Sequence, residues 1–334
     1  MVGMGSVICF GGSVLLRSVL VSITALWIAG CSSNTEFGIA PQDFSFGQQV
    51  TYNNKVDVLF VMDNSQTMAK HQSAIGSQFS NFIDVLNQKG IDYHIGVTTM
   101  DVSASGARGA LLGTVKVIDS RTPNLKNQFL ANVNMGETGS DLERGIDGLR
   151  RALTAPLIDG ANTGFLRTDA VLAIVFVTNE DDKSSGSIAE VIAALDAIKP
   201  PFPYGARGWI ANLIGVLDVG TDCSTSASYT EPGDRYLALV DHSGGTGASI
   251  CSNNMSQALA NVRQRIAEMM SEYRLGREPI VSTLQVAVNG QLLPNDPVNG
   301  WTYVADGYII RFNGTAVPPA GSDIRIAYQP KSSK

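Results

Sequence analysis

The chain has 334 residues, 44% hydrophobic and 16% charged, enough apolar content for one large domain plus a small one and too much for a disordered chain. Its formal net charge is −6 and it holds no run of Lys or Arg, which argues against nucleic acid as a partner. The three histidines, His71, His94 and His242, do not fall at HExxH spacing, and there is no GxSxG, no GxxxxGK(S/T) and no GxGxxG opening a helix after a strand, so no motif for hydrolysis or nucleotide binding is present.

The first 30 residues carry one charge, Arg17, followed by the apolar segment Val19 to Ile28 and then Ala29, Gly30 and Cys31. A basic residue, a short apolar region and small residues make a secretory signal. Ile28-Ala29-Gly30-Cys31 resembles the bacterial lipobox, which implies lipidation of Cys31 and attachment to the membrane through lipid alone. Arg17 interrupts the apolar stretch and leaves its C-terminal part shorter than the ~20 residues a span needs, which disfavours an uncleaved anchor. Ser32, rather than Asp, after the cysteine leans towards the outer membrane of a Gram-negative envelope. Residues 31–54 are polar, with Gly38, Pro41 and Gly47 and no apolar period, and are expected to form a flexible tether.

The body opens on Val56 to Met62, an apolar run of strand length suited to a parallel strand buried on both faces. It ends in Asp63, Asn64, Ser65, Gln66 and Thr67. Met68, Ile75, Phe79, Phe82, Ile83 and Leu86 then keep helical spacing up to Gly90. Asp92 to Met100 reads as the next strand, with His94 a core histidine, and Ala110 to Ile118 as an antiparallel edge. Leu142, Ile146, Leu149 and Leu153 predict a helix within 135–153, with Ser140 or Asp141 as its cap. Ala170 to Thr178 is a second buried strand, ending in Asn179, Glu180, Asp181 and Asp182. A helix over 187–199 stops at Pro200, Pro201 and Pro203, and Trp209 to Val219 is a further strand. The Gly-, Ser- and Thr-rich stretch 220–252 holds a short helical piece around Tyr236 to Val240, and a helix from Met255 to Tyr273 closes the domain. Cys223 and Cys251 remain for the mature fold, and two cysteines in an exported protein are expected to pair.

Strands alternating with helices predict a doubly wound α/β domain over 55–276, with a mostly parallel central sheet flanked by helices. After Gly276 the period becomes two, and Asn289-Gly290 marks a hairpin, so 277–334 reads as a small β module.

A carboxylate and two hydroxyls at alternate positions after a buried strand suit a hard divalent cation, although Asp63 and Ser65 are equally good helix caps. The apolar strand, the DxSxT of Asp63, Ser65 and Thr67, and the amphipathic helix that follows resemble the opening of a von Willebrand factor type A domain. In that family this loop begins the metal ion-dependent adhesion site. The resemblance covers about 220 residues of α/β pattern and implies two further metal loops. One would supply a hydroxyl from Thr138 or Ser140, Thr138 being slightly preferred. The other begins at Asn179, where the family usually has Asp, so Asp181, Asp182 or Glu180 would have to restore the charge. The function implied is non-enzymatic protein binding, with Mg²⁺, or Mn²⁺ or Ca²⁺, completed by an Asp or Glu of the partner. If the third loop has lost the cation, a metal-free structural role at the envelope is the alternative.

Overall fold

The computed structural model describes residues 46–51, 54–202, 207–220, 223, 229, 231–252, 255–319 and 321–331. Cys31, the leader and residues 31–45 lie outside the described residues. In chain order the elements are β1 (Phe46–Thr51), β2 (Lys55–Met62), α1 (Ala69–Gln88), β3 (Asp92–Thr99), α2 (Leu125–Val133), α3 (Gly145–Ala152), β4 (Val171–Val177), α4 (Ile188–Ile198), β5 (Trp209–Gly215), α5 (Asp234–Ser243), β6 (Gly247–Ser249) and α6 (Met255–Met270). They continue as β7 (Glu272–Arg274), β8 (Gln285–Val288), β9 (Gln291–Leu292), β10 (Trp301–Val304), β11 (Ile309–Phe312) and β12 (Asp323–Tyr328).

The central sheet is parallel throughout, in the order β3-β2-β4-β5-β6. Strand β2 alternates its side chains between two apolar layers. Val58, Phe60 and Met62 pack with α1, α2 and α6, while Leu59 and Val61 pack with α3, α4 and α5. A strand covered by helices on both faces must be apolar on both, which is why this run shows no alternation. The chain leaves β2 for β3 on one side and returns to β4 on the other, so the reversal of strand order opens a crevice at the carboxyl ends of β2, β3 and β4. Helix α1 ends where its sequence predicts. Gly90 takes φ +63°, and Ile91 N–H donates to Leu86 O (2.9 Å), the six-to-one bond of a glycine-terminated helix.

Three expectations change. Residues 110–118 form no strand; they touch β3 through an isolated antiparallel bridge between Ile95 and Ile118. Gly109 and Gly113 both adopt positive φ there, and the Asn162 side chain takes the Leu111 N–H (2.8 Å), so the stretch cannot hold a ladder. The helix expected within 135–153 begins only at Gly145, and Leu142 is 53% exposed, off the buried face. The stretch 31–54 is not tether throughout, because β1 pairs antiparallel with β12 from Phe46↔Tyr328 to Thr51↔Asp323. Its polar sequence FGQQVT carries no strand period; the backbone of β12 supplies the pairing.

Two antiparallel sheets, β1-β12-β8-β9 and β10-β11-β7, enclose their own core of Tyr273, Val286, Trp301, Ile310, Phe312, Ile324 and Ile326. The module therefore takes one strand from before the α/β domain and β7 from ahead of the boundary expected at 276. Asn289 and Gly290, both at positive φ, turn its β8–β9 hairpin. Cys223 and Cys251 form a disulfide.

At the amino end of the sheet, Asp57 is fully buried and receives Arg167 Nε (2.8 Å) and Arg167 N–H (2.6 Å). The same guanidinium donates to Val56 O and Asp92 O and pairs with the Asp92 carboxylate. His94 Nδ1–H donates to Phe165 O (3.0 Å) beside this cluster. Removing one partner of a buried pair strands the other charge. Arg167→Ala is accordingly expected to cost about 3–5 kcal/mol of stability, read as a lowered urea midpoint at unchanged slope.

On α1, buried His71 meets the Tyr229 hydroxyl across 2.7 Å. Burial, reinforced by the charge of Lys70, pushes the His71 imidazole from 6.5 down to about 4. The unfolded chain then takes up a proton that the folded chain refuses. The stability present above pH 6.5 is lost as the pH falls towards 4. His71→Gln is expected to flatten the dependence of the thermal midpoint on pH across that window, measured against the parent.

Candidate metal centre

Asp63 follows β2 directly and is fully buried. Its Oδ1 accepts from Ser65 N–H (2.7 Å) and its Oδ2 from Thr178 Oγ1 (2.9 Å), while Glu180 N–H donates to that hydroxyl (3.0 Å). Thr178, at the end of β4, thus fixes the orientation of the Asp63 carboxylate across the two strand ends. Neither Asp63 nor Ser65 caps α1. The helix starts at Ala69, whose N–H is met by Glu137 Oε1 (3.2 Å) from another loop. Ser65 Oγ is buried and has no hydrogen-bond partner, and Asn64 Oδ1 is in the same state.

The second loop docks on the first. Gly139 N–H donates to Asn64 O (2.9 Å), and the Gln72 amide bridges Asp63 O (3.3 Å) and Gly136 O (2.9 Å). A Cβ on Gly139 would stand 2.5 Å from the Asn64 side chain, so only glycine permits this approach. Ser140 Oγ is used locally, accepting from Leu142 N–H (3.1 Å), whereas Thr138 stands exposed on the docked loop. Thr67 is also exposed and adopts φ +82°, a left-handed conformation that is unusual for a β-branched residue.

The third loop divides its residues between two tasks. Asn179 is buried where β4 ends. Asp181 and Asp182, expected as substitutes for a missing carboxylate, instead cap helices supplied by other parts of the chain. Asp182 Oδ1 accepts from Ile146 N–H (3.0 Å) in the first turn of α3, its Oδ2 from Ser184 N–H and Arg235 Nε (3.1 Å each). Asp181 Oδ1 accepts from Arg235 N–H (2.9 Å) in the first turn of α5. Arg144 and Gly233, at the N-cap positions of these helices, provide no side-chain cap, so the aspartates fill that need in trans.

Sequence reading missed Glu143. It lies just ahead of α3, is 1% exposed, and no donor reaches either carboxyl oxygen. Burial first, then the charges of Asp63 and Glu180, a hydrogen bond shared with the Asp63 carboxylate and the charge of Asp101, pushes its carboxyl up to about 10. Burial and Asp63 also push Glu180 up. The available signal was the position itself, a Glu two residues before the glycine that opens α3. Asp101, buried at the end of β3, went unnoticed too; its Oδ1 accepts from Ser103 N–H (2.8 Å).

The donors fit a hard cation. Asp63 retains lone pairs beyond its two hydrogen bonds, and Ser65 Oγ is a buried oxygen with no other use. Among the described residues no three His, Cys, Asp or Glu side chains form a metal cluster by themselves, so hydroxyl or amide oxygens have to complete the shell. Asp182→Ala is expected to cost about 3 kcal/mol in chemical unfolding and Asp181→Ala about 1 kcal/mol, since the first also leaves Arg235 unpaired. A cation-linked loss in Asp181→Ala without loss of stability would contradict its capping role.

No protein-family model matches the chain, and no curated protein matches it. Among solved structures it is similar to proximal thread matrix protein 1 from the mussel byssus, at 11% identity and a TM-score of 0.42 over 69% of this chain and 51% of that one. The same mussel protein with a zinc-occupied MIDAS motif matches at 13% identity and TM-score 0.41, over 66% and 48%. The pilus adhesin SpaC from Lactobacillus rhamnosus GG, in its open conformation, matches at 10% identity and TM-score 0.40, over 84% and 40%. The chain thus spans about half the length of these structures or less, and its doubly wound architecture stands on its own strand order.

Proposed function

We propose that this protein is a non-enzymatic binding protein of the cell envelope, held to the membrane by a lipid on Cys31, with a divalent cation in the crevice at the ends of β2 and β4. The observation that carries this reading is the pair formed by Asp63 and Ser65. Both are buried at the point where strand order reverses, and Ser65 Oγ has no protein partner there. Asp63 and Ser65 would hold the cation, with Thr138 and Asn179 on the flanking loops. Thr178 keeps Asp63 aimed, while Gln72 and Gly139 keep the first two loops in register. The cation supplies a coordination position for a carboxylate oxygen, an Asp or Glu presented by a protein partner. Exposed loop residues around it provide selectivity.

A metal-free scaffold is the second reading, and one observation favours it. Leu292 (66% exposed) and Val298 (65%) are large apolar side chains presented by the β module, as expected of a packing surface.

Calorimetric titration of Mg²⁺, Mn²⁺, Ca²⁺ and Zn²⁺ into the full-length chain in mild detergent separates the two. Saturable binding that vanishes in Asp63→Ala, with the thermal midpoint in chelator kept, is the expected result. Its absence in the parent chain hands the function to the scaffold.

A further inference from the structure

Affinity for a hard dication depends on how many carboxylates face it. Asn179 contributes no charge, and Asp181 and Asp182 are occupied at the ends of α5 and α3. Of the residues that the sequence points to, Asp63 and the half-buried Glu180 are then the carboxylates left at the crevice, and only Asp63 is fully buried there. We propose that Glu143 is the second carboxylate of this site, moved from the third loop to the second; the proposal rests on the crevice being a cation site at all.

Four observations converge on it. Glu143 is 1% exposed, no donor reaches its carboxyl oxygens, and it faces the Asp63 carboxylate, with which it can only share a proton; two buried acids held together are costly unless something supplies positive charge. Its backbone is fixed between two strand ends, because Lys183 N–H donates to Glu143 O (2.7 Å) and the next residue, Arg144, donates its N–H to Met100 O (3.3 Å). Its charged neighbours are Asp63, Glu180 and Asp101, all acidic. The basic side chains nearby are engaged elsewhere: Arg144 with Asp147, Lys183 with Glu231 (2.5 Å) and Arg235 with Asp182 (3.1 Å). The protein thus brings three cations near this crevice and pairs each with a different carboxylate.

What remains is an all-oxygen set of Asp63, Ser65 and Glu143, which would present two negative charges to a dication once the ion displaces the proton that Glu143 otherwise keeps. Ser65 Oγ is buried without a partner, the Glu143 carboxyl is buried with no donor reaching it, and both lie against Asp63, Ser65 through its N–H (2.7 Å) and Glu143 in space. Two independent orphaned donors around one carboxylate are difficult to reconcile with a packed core. They are natural around an ion. The third loop is then free to carry an amide and to spend its own aspartates on helix ends.

The test is calorimetric titration of Mg²⁺ and Mn²⁺ into the full-length chain beside Glu143→Gln, Asp63→Ala and the double variant Glu143→Gln with Asn179→Asp. Glu143→Gln is expected to weaken binding on the order of 100-fold, and the double variant to recover most of it by returning the charge to the third loop. Unchanged affinity in Glu143→Gln, with binding lost in Asp63→Ala, overturns the role of Glu143 and leaves the cation site standing. No saturable binding by the parent overturns both. Should Glu143→Gln fail to fold, crystals of the parent chain grown with Mn²⁺ decide the matter. An anomalous peak within about 2.5 Å of a Glu143 oxygen supports the assignment, and a peak on Asp63 and Ser65 but away from Glu143 overturns it.

Discussion

Strand β2 is paired in parallel on both edges, with β3 and β4, and covered by helices on both faces. Its backbone and side chains are consequently satisfied everywhere except at its carboxyl end, where the chain must leave the sheet. The first residue to leave is Asp63, and its N–H is still tied to Val177 O (2.9 Å). A carboxylate placed there inherits a rigid position and a low-dielectric surrounding. It needs no flexible loop to aim it, because the sheet does so through Thr178. The loops from 136 to 140 and from 178 to 182 arrive at the same place because α3 and β4 pack against the same strand end.

Charge accounting at this end of the sheet shows how unusual Glu143 is. Asp182 is answered by a helix N-terminus and Arg235, Asp181 by another helix N-terminus, Asp147 by Arg144 and Glu231 by Lys183. Helix N-termini carry a partial positive charge, so an aspartate used as a cap in trans is neutralised and welds two elements together at once. Asp63 and Glu143 lie close together without such an answer, and one of them accepts no hydrogen bond at all. A fold that takes this care over its other acids has either left a deficit in its core or reserved the space for a positive ion.

The parallel strands were legible because burial on both faces imposes a nearly continuous apolar run, as in Val56 to Met62, interrupted only by Asp57, and Ala170 to Val177, and few other structures ask for one. The Asp63 loop was legible for the same reason, since it follows such a run. Side-chain direction was not. Asp181 and Asp182 stand two and three residues beyond the expected ligand position, Asn179, and nothing in NEDD distinguishes a carboxylate turned into the crevice from one turned towards a distant helix. That difference is set by Ile146 and Arg235, 36 and 54 residues away along the chain. Leu142 was misplaced, and Glu143 passed over, for a related reason. Helical spacing places Leu142 on the buried face only if the helix has already begun, and it begins at Gly145 because its cap comes from elsewhere. Strand β1 escaped notice because an edge strand bonded through its backbone needs no apolar period.

The way β1 and β7 are used bears on how the binding site would be supported. The chain enters the α/β domain from one strand of the β module and, after α6, re-enters the module through β7, so both ends of the domain are hydrogen-bonded to the same small body. A module of this size has little core of its own, and recruiting strands from both sides of a large domain enlarges the area it buries. The arrangement also closes the α/β domain into a loop whose ends cannot fray independently, since Glu272 in β7 is bonded to Arg265 of α6 and Arg311 of β11. Load reaching the chain from its amino-terminal side would meet the β1–β12 ladder before it met β2. The crevice at the far end of β2 is thereby separated from the amino-terminal side of the chain by a complete antiparallel pairing, which would help it keep its geometry under load.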